Sequence, residues 1–161
     1  MKLSPLIKGI ITAIVMIGVS FATYYGIPGN SPLHYLVFAV YATGIIWTLI
    51  AFKSSPSYSG TFGNSFNAGF RCFIVATFLM VIYTFAFNKM HPEFAEESAK
   101  LYKEQQLKLK DNSKTPDEIE ADTIRYKNGY VMAVVYGSIF GYLIIGAAVT
   151  AVASVILTRR K

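Results

Sequence analysis

The 161 residues are 53% hydrophobic with a mean hydropathy of +0.43, too apolar for a soluble domain of this length and in the range of integral membrane proteins. The net charge of +6 does not describe a nucleic-acid surface. Residues 89–127 hold all nine acids, while Lys2, Lys8, Lys53, Arg71, Arg159, Arg160 and Lys161 flank long uncharged runs, as orientation signals and contacts with anionic lipid do.

The single cysteine, Cys72, excludes an intramolecular disulfide and any paired-cysteine zinc or redox motif. After the basic Met1–Lys8 tail, residues 9–25 carry no charge. About 20 apolar residues cross a hydrocarbon core, so this run is the first predicted span. Ser20 and Ala22 also fit the small positions before a signal cleavage site, but a retained helix is the reading adopted.

Gly26, Pro28, Gly29, Asn30, Ser31 and Pro32 predict a reversal, because glycine permits positive φ and proline removes a backbone donor. A second span covers 33–52 and stops at Lys53. Ser54–Asn67 is rich in Ser, Gly, Asn and Tyr and predicts a loop followed by an interfacial helix. Phe62, Phe66, Phe70 and Phe73 recur at steps of four, four and three, one helical stripe leading into a third span over 66–87. Arg71 lies inside that boundary, with its guanidinium expected to reach lipid headgroups.

Residues 89–128 are charged. From Phe94, the residues Ala95, Ala99, Leu101, Tyr102 and Leu109 fall in one arc at 100° per residue. Glu96, Lys100, Glu104 and Lys108 form an alternating ladder at steps of four. Asp111–Ser113 reads as a break. Thr115, Pro116 and Glu118 then form a helix start: a cap, a proline at the first position and the carboxylate of a capping box. The second hairpin helix is expected to end near Lys127, with a bend at Asn128 and Gly129. A fourth span covers 130–157 within an uncharged run of 30 residues, Gly129–Thr158. Gly137, Gly141 and Ala148 align small side chains there for helix packing.

The predicted fold is an all-α, integral membrane four-helix bundle forming a single membrane domain over 1–161, with a helical hairpin between helices 3 and 4. Four spans put both termini on one side. The basic residues there place the termini in the cytoplasm and the hairpin outside it.

Gly60–Phe70, a glycine and aromatic stretch before the third span, and His91-Pro92-Glu93-Phe94, which opens the charged segment, resemble an uncharacterised family of small four-helix inner-membrane proteins found mainly in Bacteroidota. The resemblance covers nearly the whole chain and implies a topology and an envelope location, with no activity or catalytic residue.

No nucleophile, base and orienting group occur together, and no Asp, Glu, His or Lys falls in the middle of a predicted span, which argues against a proton-coupled pathway. His34, His91 and Glu93 lack the spacing of a metal site. The sequence therefore reads as a non-enzymatic scaffold or accessory subunit without cofactor, metal or nucleic acid. Its partners would be membrane lipids and another envelope protein or a second copy, met through Phe94, Leu101, Tyr102 and Leu109. The alternative is a small transporter or lipid-binding protein with an anion site at Arg71 and Asn67.

Overall fold

A computed structural model describes residues 3–26, 31–108 and 114–159, with the side chain of His34 outside the description. The described residues form helices α1 (Pro5–Gly26), α2 (Leu36–Lys53), α3 (Phe62–Met90), α4 (Glu93–Lys108) and α5 (Pro116–Arg159), with a short 3-10 turn, Pro32–Tyr35, before α2. No strand occurs among them. The predicted reversal at Pro28–Asn30 and the break at Asp111–Ser113 lie outside the described residues.

Four of the helices, α1, α2, α3 and α5, are long and apolar enough to cross a membrane. Two differ from the sequence expectation. Phe62 begins α3 itself, so the phenylalanine stripe is the first part of one helix and not a separate interfacial one. Its rings pack in series: Phe62–Phe66 and Phe66–Phe70 are stacked with centroids 5.6 and 6.4 Å apart, and Phe70–Phe73 meet edge to face at 5.1 Å. The second hairpin helix and the fourth span are likewise one helix of 44 residues, unbroken at Asn128 and Gly129. Continuing a formed helix adds a hydrogen bond for each residue fixed, whereas restarting one requires a new nucleus. That difference outweighs the roughly 1 kcal/mol propensity penalty of a glycine.

The chain divides into two compact units, residues 1–81 with 139–161, and residues 82–138. In the first, the helices approach one another at glycines. A Cβ added at Gly9 would stand 2.5 Å from the Cys72 carbonyl oxygen, and one at Gly44 would collide with Thr12. One at Gly69 would stand 2.5 Å from Thr150 Cγ2, and one at Gly146 2.5 Å from Tyr41 Oη. Each helix pair thus meets where a side chain is missing, the usual device when both partners are already in an apolar solvent and contact rests on close packing.

Ala13, Met16, Tyr41, Ile45, Leu49, Cys72, Ala76 and Met80 fill the core. Tyr41 Oη ties three helices together. It lies 2.8 Å from Thr77 Oγ1, 3.2 Å from the Tyr142 carbonyl and 3.4 Å from the Phe73 carbonyl. A phenol has one proton, so when it donates to a carbonyl, Thr77 donates to it. Thr48 Oγ1 similarly lies 2.9 Å from the Gly44 carbonyl and 3.2 Å from Cys72 Sγ.

The second unit contains the hairpin. Pro92 forces the preceding residue away from helical geometry, and His91 and Pro92 separate α3 from α4. The rings of His91 and Phe94 pack around Phe87 at 4.5 and 6.1 Å. The interior of this unit is thin: Ala95 and Ala99 of α4 and Ile119 and Val135 of α5.

Candidate functional site

In the second unit, α4 and the start of α5 run antiparallel, as their ion pairs show. Glu96 meets Lys127 at 2.8 Å, and seven residues on, Lys103 meets Glu120, seven residues back. Seven residues are close to two helical turns, so both pairs lie on one seam. Tyr102 stacks on Tyr126, with centroids 4.7 Å apart and rings within 6° of parallel. Of the expected ladder along α4, only Glu104–Lys108 closes, at 3.9 Å. Glu96 is drawn to Lys127, a cross-helix partner that an isolated helix does not offer.

The start of α5 is the capping box expected from Thr115 and Glu118. The Thr115 N–H donates to Glu118 Oε2 at 2.7 Å, and the Glu118 N–H donates to Thr115 Oγ1 at 3.3 Å. Asp122 accepts from Lys114 at 2.7 Å and has Arg125 at 3.7 Å.

These contacts order the charges. Lys127 beside Glu96 holds its carboxyl below the ordinary range, and Lys114 does the same for Asp122. The Thr115 N–H, then its hydroxyl, lowers Glu118. The N–H of Glu93 itself, then the His91 ring at 2.6 Å, lowers Glu93. Lys114 is pushed up by Asp122.

The four residues expected to contact a partner separate. Tyr102 is spent on Tyr126, and Phe94 is half-buried against Phe87 and His91. Leu101 is 54% exposed, and Leu109 lies outside the described residues. The apolar arc therefore spans two surfaces, with Ala95, Ala99 and Tyr102 turned inward and Leu101 outward. Leu107 and Ile124 are also exposed.

In the first unit, Arg71 and Asn67 come together. With Asn64, Ser57, Pro5, Phe52 and Ala68 they line a cavity of about 260 Å³. Asn64 is engaged by the preceding loop, its Oδ1 accepting the Ser59 N–H at 3.0 Å. Arg71 is exposed, and among the described residues no acid pairs with it. Gly137 and Gly141 meet no neighbour where a Cβ would stand, and Ala148 is exposed; among the described residues, α5 comes close to other helices at Gly146 and at Thr150. Among the described residues, no three metal-ligating side chains gather.

Four helices of spanning length and composition, with the acids confined to one helical hairpin, have the makeup of a helical membrane protein. The chain belongs to the family described as a protein of unknown function, DUF4199, which matches residues 6–159. No curated protein and no solved structure matches it.

Proposed function

We propose that this is a non-enzymatic membrane scaffold or accessory subunit of a cell-envelope complex, held in the bacterial inner membrane with both termini cytoplasmic. Its hairpin stands on the opposite side and contacts another envelope protein or a second copy. The observation that carries the reading is the separation of chemistries. Every acidic side chain belongs to residues 93–122, where most are engaged in pairs or caps, whereas the first unit has no acid at all. A helix of 44 residues extends about 66 Å, roughly twice the hydrocarbon thickness, which supports its leaving the membrane with the charged segment.

With its charges engaged, the hairpin offers Leu101, Leu107 and Ile124 as exposed apolar residues, and these are the contacts proposed. Photo-crosslinking residues at Leu101 and Ile124 in native membranes test this, with a discrete crosslinked species expected from at least one. Absence of adducts from both positions would remove the scaffold reading.

The second reading, a lipid- or anion-binding protein, is favoured by the cavity that Arg71 and Asn67 share. Native mass spectrometry of the protein and of Arg71→Ala tests it. Loss of bound anionic lipid or solute is expected, and an unchanged spectrum would count against it.

A further inference from the structure

We infer that Lys8 is the centre of a binding site for the phosphate of an anionic membrane lipid. The site is the cavity of about 500 Å³ bounded by the start of α1, the end of α2 and the loop that follows. Lys8 is read from the sequence as a surface charge near the terminus, but it is only 6% exposed. Its ammonium stands 5.4 Å from the centre of the Trp47 ring. Among the described residues it has no carboxylate partner, and none is available within its unit, because the acids all lie at 93–122.

An aromatic face offsets only part of the cost of withdrawing a cation from water. The remainder calls for an anion from outside the chain. Ser55 supplies a second indication: it lines the same cavity, and its buried Oγ has no hydrogen-bond partner among the described residues. Lys8 and Ser55 line one space, and an ammonium and a hydroxyl are donors that match the acceptor oxygens of a phosphate.

The other walls identify the bearer of that phosphate. Leu3, Pro5, Trp47, Ala51 and Phe52 are apolar, and Ser4, Ser54 and Ser57 are polar, a mixed lining suited to a glycerol backbone and the first part of an acyl chain. The adjoining Arg71 cavity shares Pro5, Phe52 and Ser57 with this one, so Arg71 lies on the flank of the Lys8 site. The inference rests on the membrane reading, which carbonate extraction of membranes tests by itself. It is independent of what the hairpin contacts.

Trp47 is the only tryptophan in the chain and reports on the cavity directly. The full chain, stripped of lipid in mild detergent, is titrated with phosphatidylglycerol and with phosphatidylcholine, each brominated on its upper acyl chain, and with inorganic phosphate. Phosphatidylglycerol is expected to quench Trp47 saturably and at lower mole fraction than phosphatidylcholine. Lys8→Met should weaken that binding about tenfold or more, the loss expected of one charge-assisted hydrogen bond, while Arg71→Ala weakens it less.

Equal quenching by the two lipids in the wild-type protein would overturn the proposal, and this arm stands even if Lys8→Met fails to fold. Undiminished preference in a folded Lys8→Met protein would overturn it too. A saturable response to inorganic phosphate with none to phosphatidylglycerol would assign the cavity to a soluble anion and refute the lipid.

Discussion

Gly146→Ala adds one methyl group to α5, and two opposing effects determine the outcome. Alanine improves helix propensity over glycine by about 1 kcal/mol. The new Cβ, however, would stand 2.5 Å from Tyr41 Oη and 2.8 Å from Phe73 Cδ2, so either α5 withdraws or the two aromatic rings shift. Overpacking of this kind costs about 1–3 kcal/mol. Displacing Tyr41 from Thr77 and the Tyr142 carbonyl costs about 0.6–1.5 kcal/mol more. The net expectation is destabilisation of about 1–3 kcal/mol. Gly141→Ala is the control, since nothing lies within 4 Å of its added Cβ, and it should gain about 0.5–1 kcal/mol. Reversible unfolding in mixed micelles, followed by far-ultraviolet circular dichroism, measures both. Equal stabilities for the two variants would refute the packing described here, and a loss at Gly141 would mean that another helix covers that face.

Three further outcomes follow from the contacts. Glu96, Glu118 and Asp122 have lowered pKa values in the folded hairpin, so their contribution is complete above the ordinary carboxylate range and is lost as pH falls through the folded values. Lys114 is raised, so its contribution is complete below the ordinary lysine value and is lost as pH rises through the folded one. Hydrogen exchange of the amides of residues 116–127, corrected for intrinsic rate, should therefore be flat between about pH 5.5 and 9.5 and accelerate outside that window; a step near neutrality there would contradict it. Thr115→Ala should cost about 1 kcal/mol and fray residues 116–119 in the same experiment, while protection elsewhere in α5 persists. Tyr41→Phe should cost about 0.6–1.5 kcal/mol in the micelle assay, because Thr77 and two carbonyls lose the phenol without a cavity opening.

The parts of the fold legible in the sequence are those set by local chemistry. Uncharged runs long enough to cross a bilayer located α1, α2, α3 and α5, and Thr115 with Glu118 marked the start of α5, since a cap depends on residues only three apart. Facing was harder to read. The α5 run is apolar all round, so periodicity selects no side, and the four-residue spacing of Gly137 and Gly141 resembles an interface although Gly146 makes the contact. The ladder on α4 was a reasonable expectation for one helix, but Glu96 had a better partner in Lys127, 31 residues away. Lys8 was read as superficial because sequence gives no sign that a basic residue one turn from a helix start faces inward. Arg71 and Asn67 line one cavity, being four residues apart on one helix, whereas the joining of α1 and the loop at Ser55 and Ser57 to form the neighbouring cavities depends on tertiary packing.

We propose that the charged hairpin and the basic termini lie on opposite sides of a membrane. Ser98→Cys in an otherwise cysteine-free chain, obtained by Cys72→Ala, tests it in intact cells with a membrane-impermeant maleimide, against a cysteine placed at Ser54 in the loop after α2. Labelling is expected at residue 98 before lysis and at residue 54 only after it. Labelling at residue 98 only after lysis would contradict it.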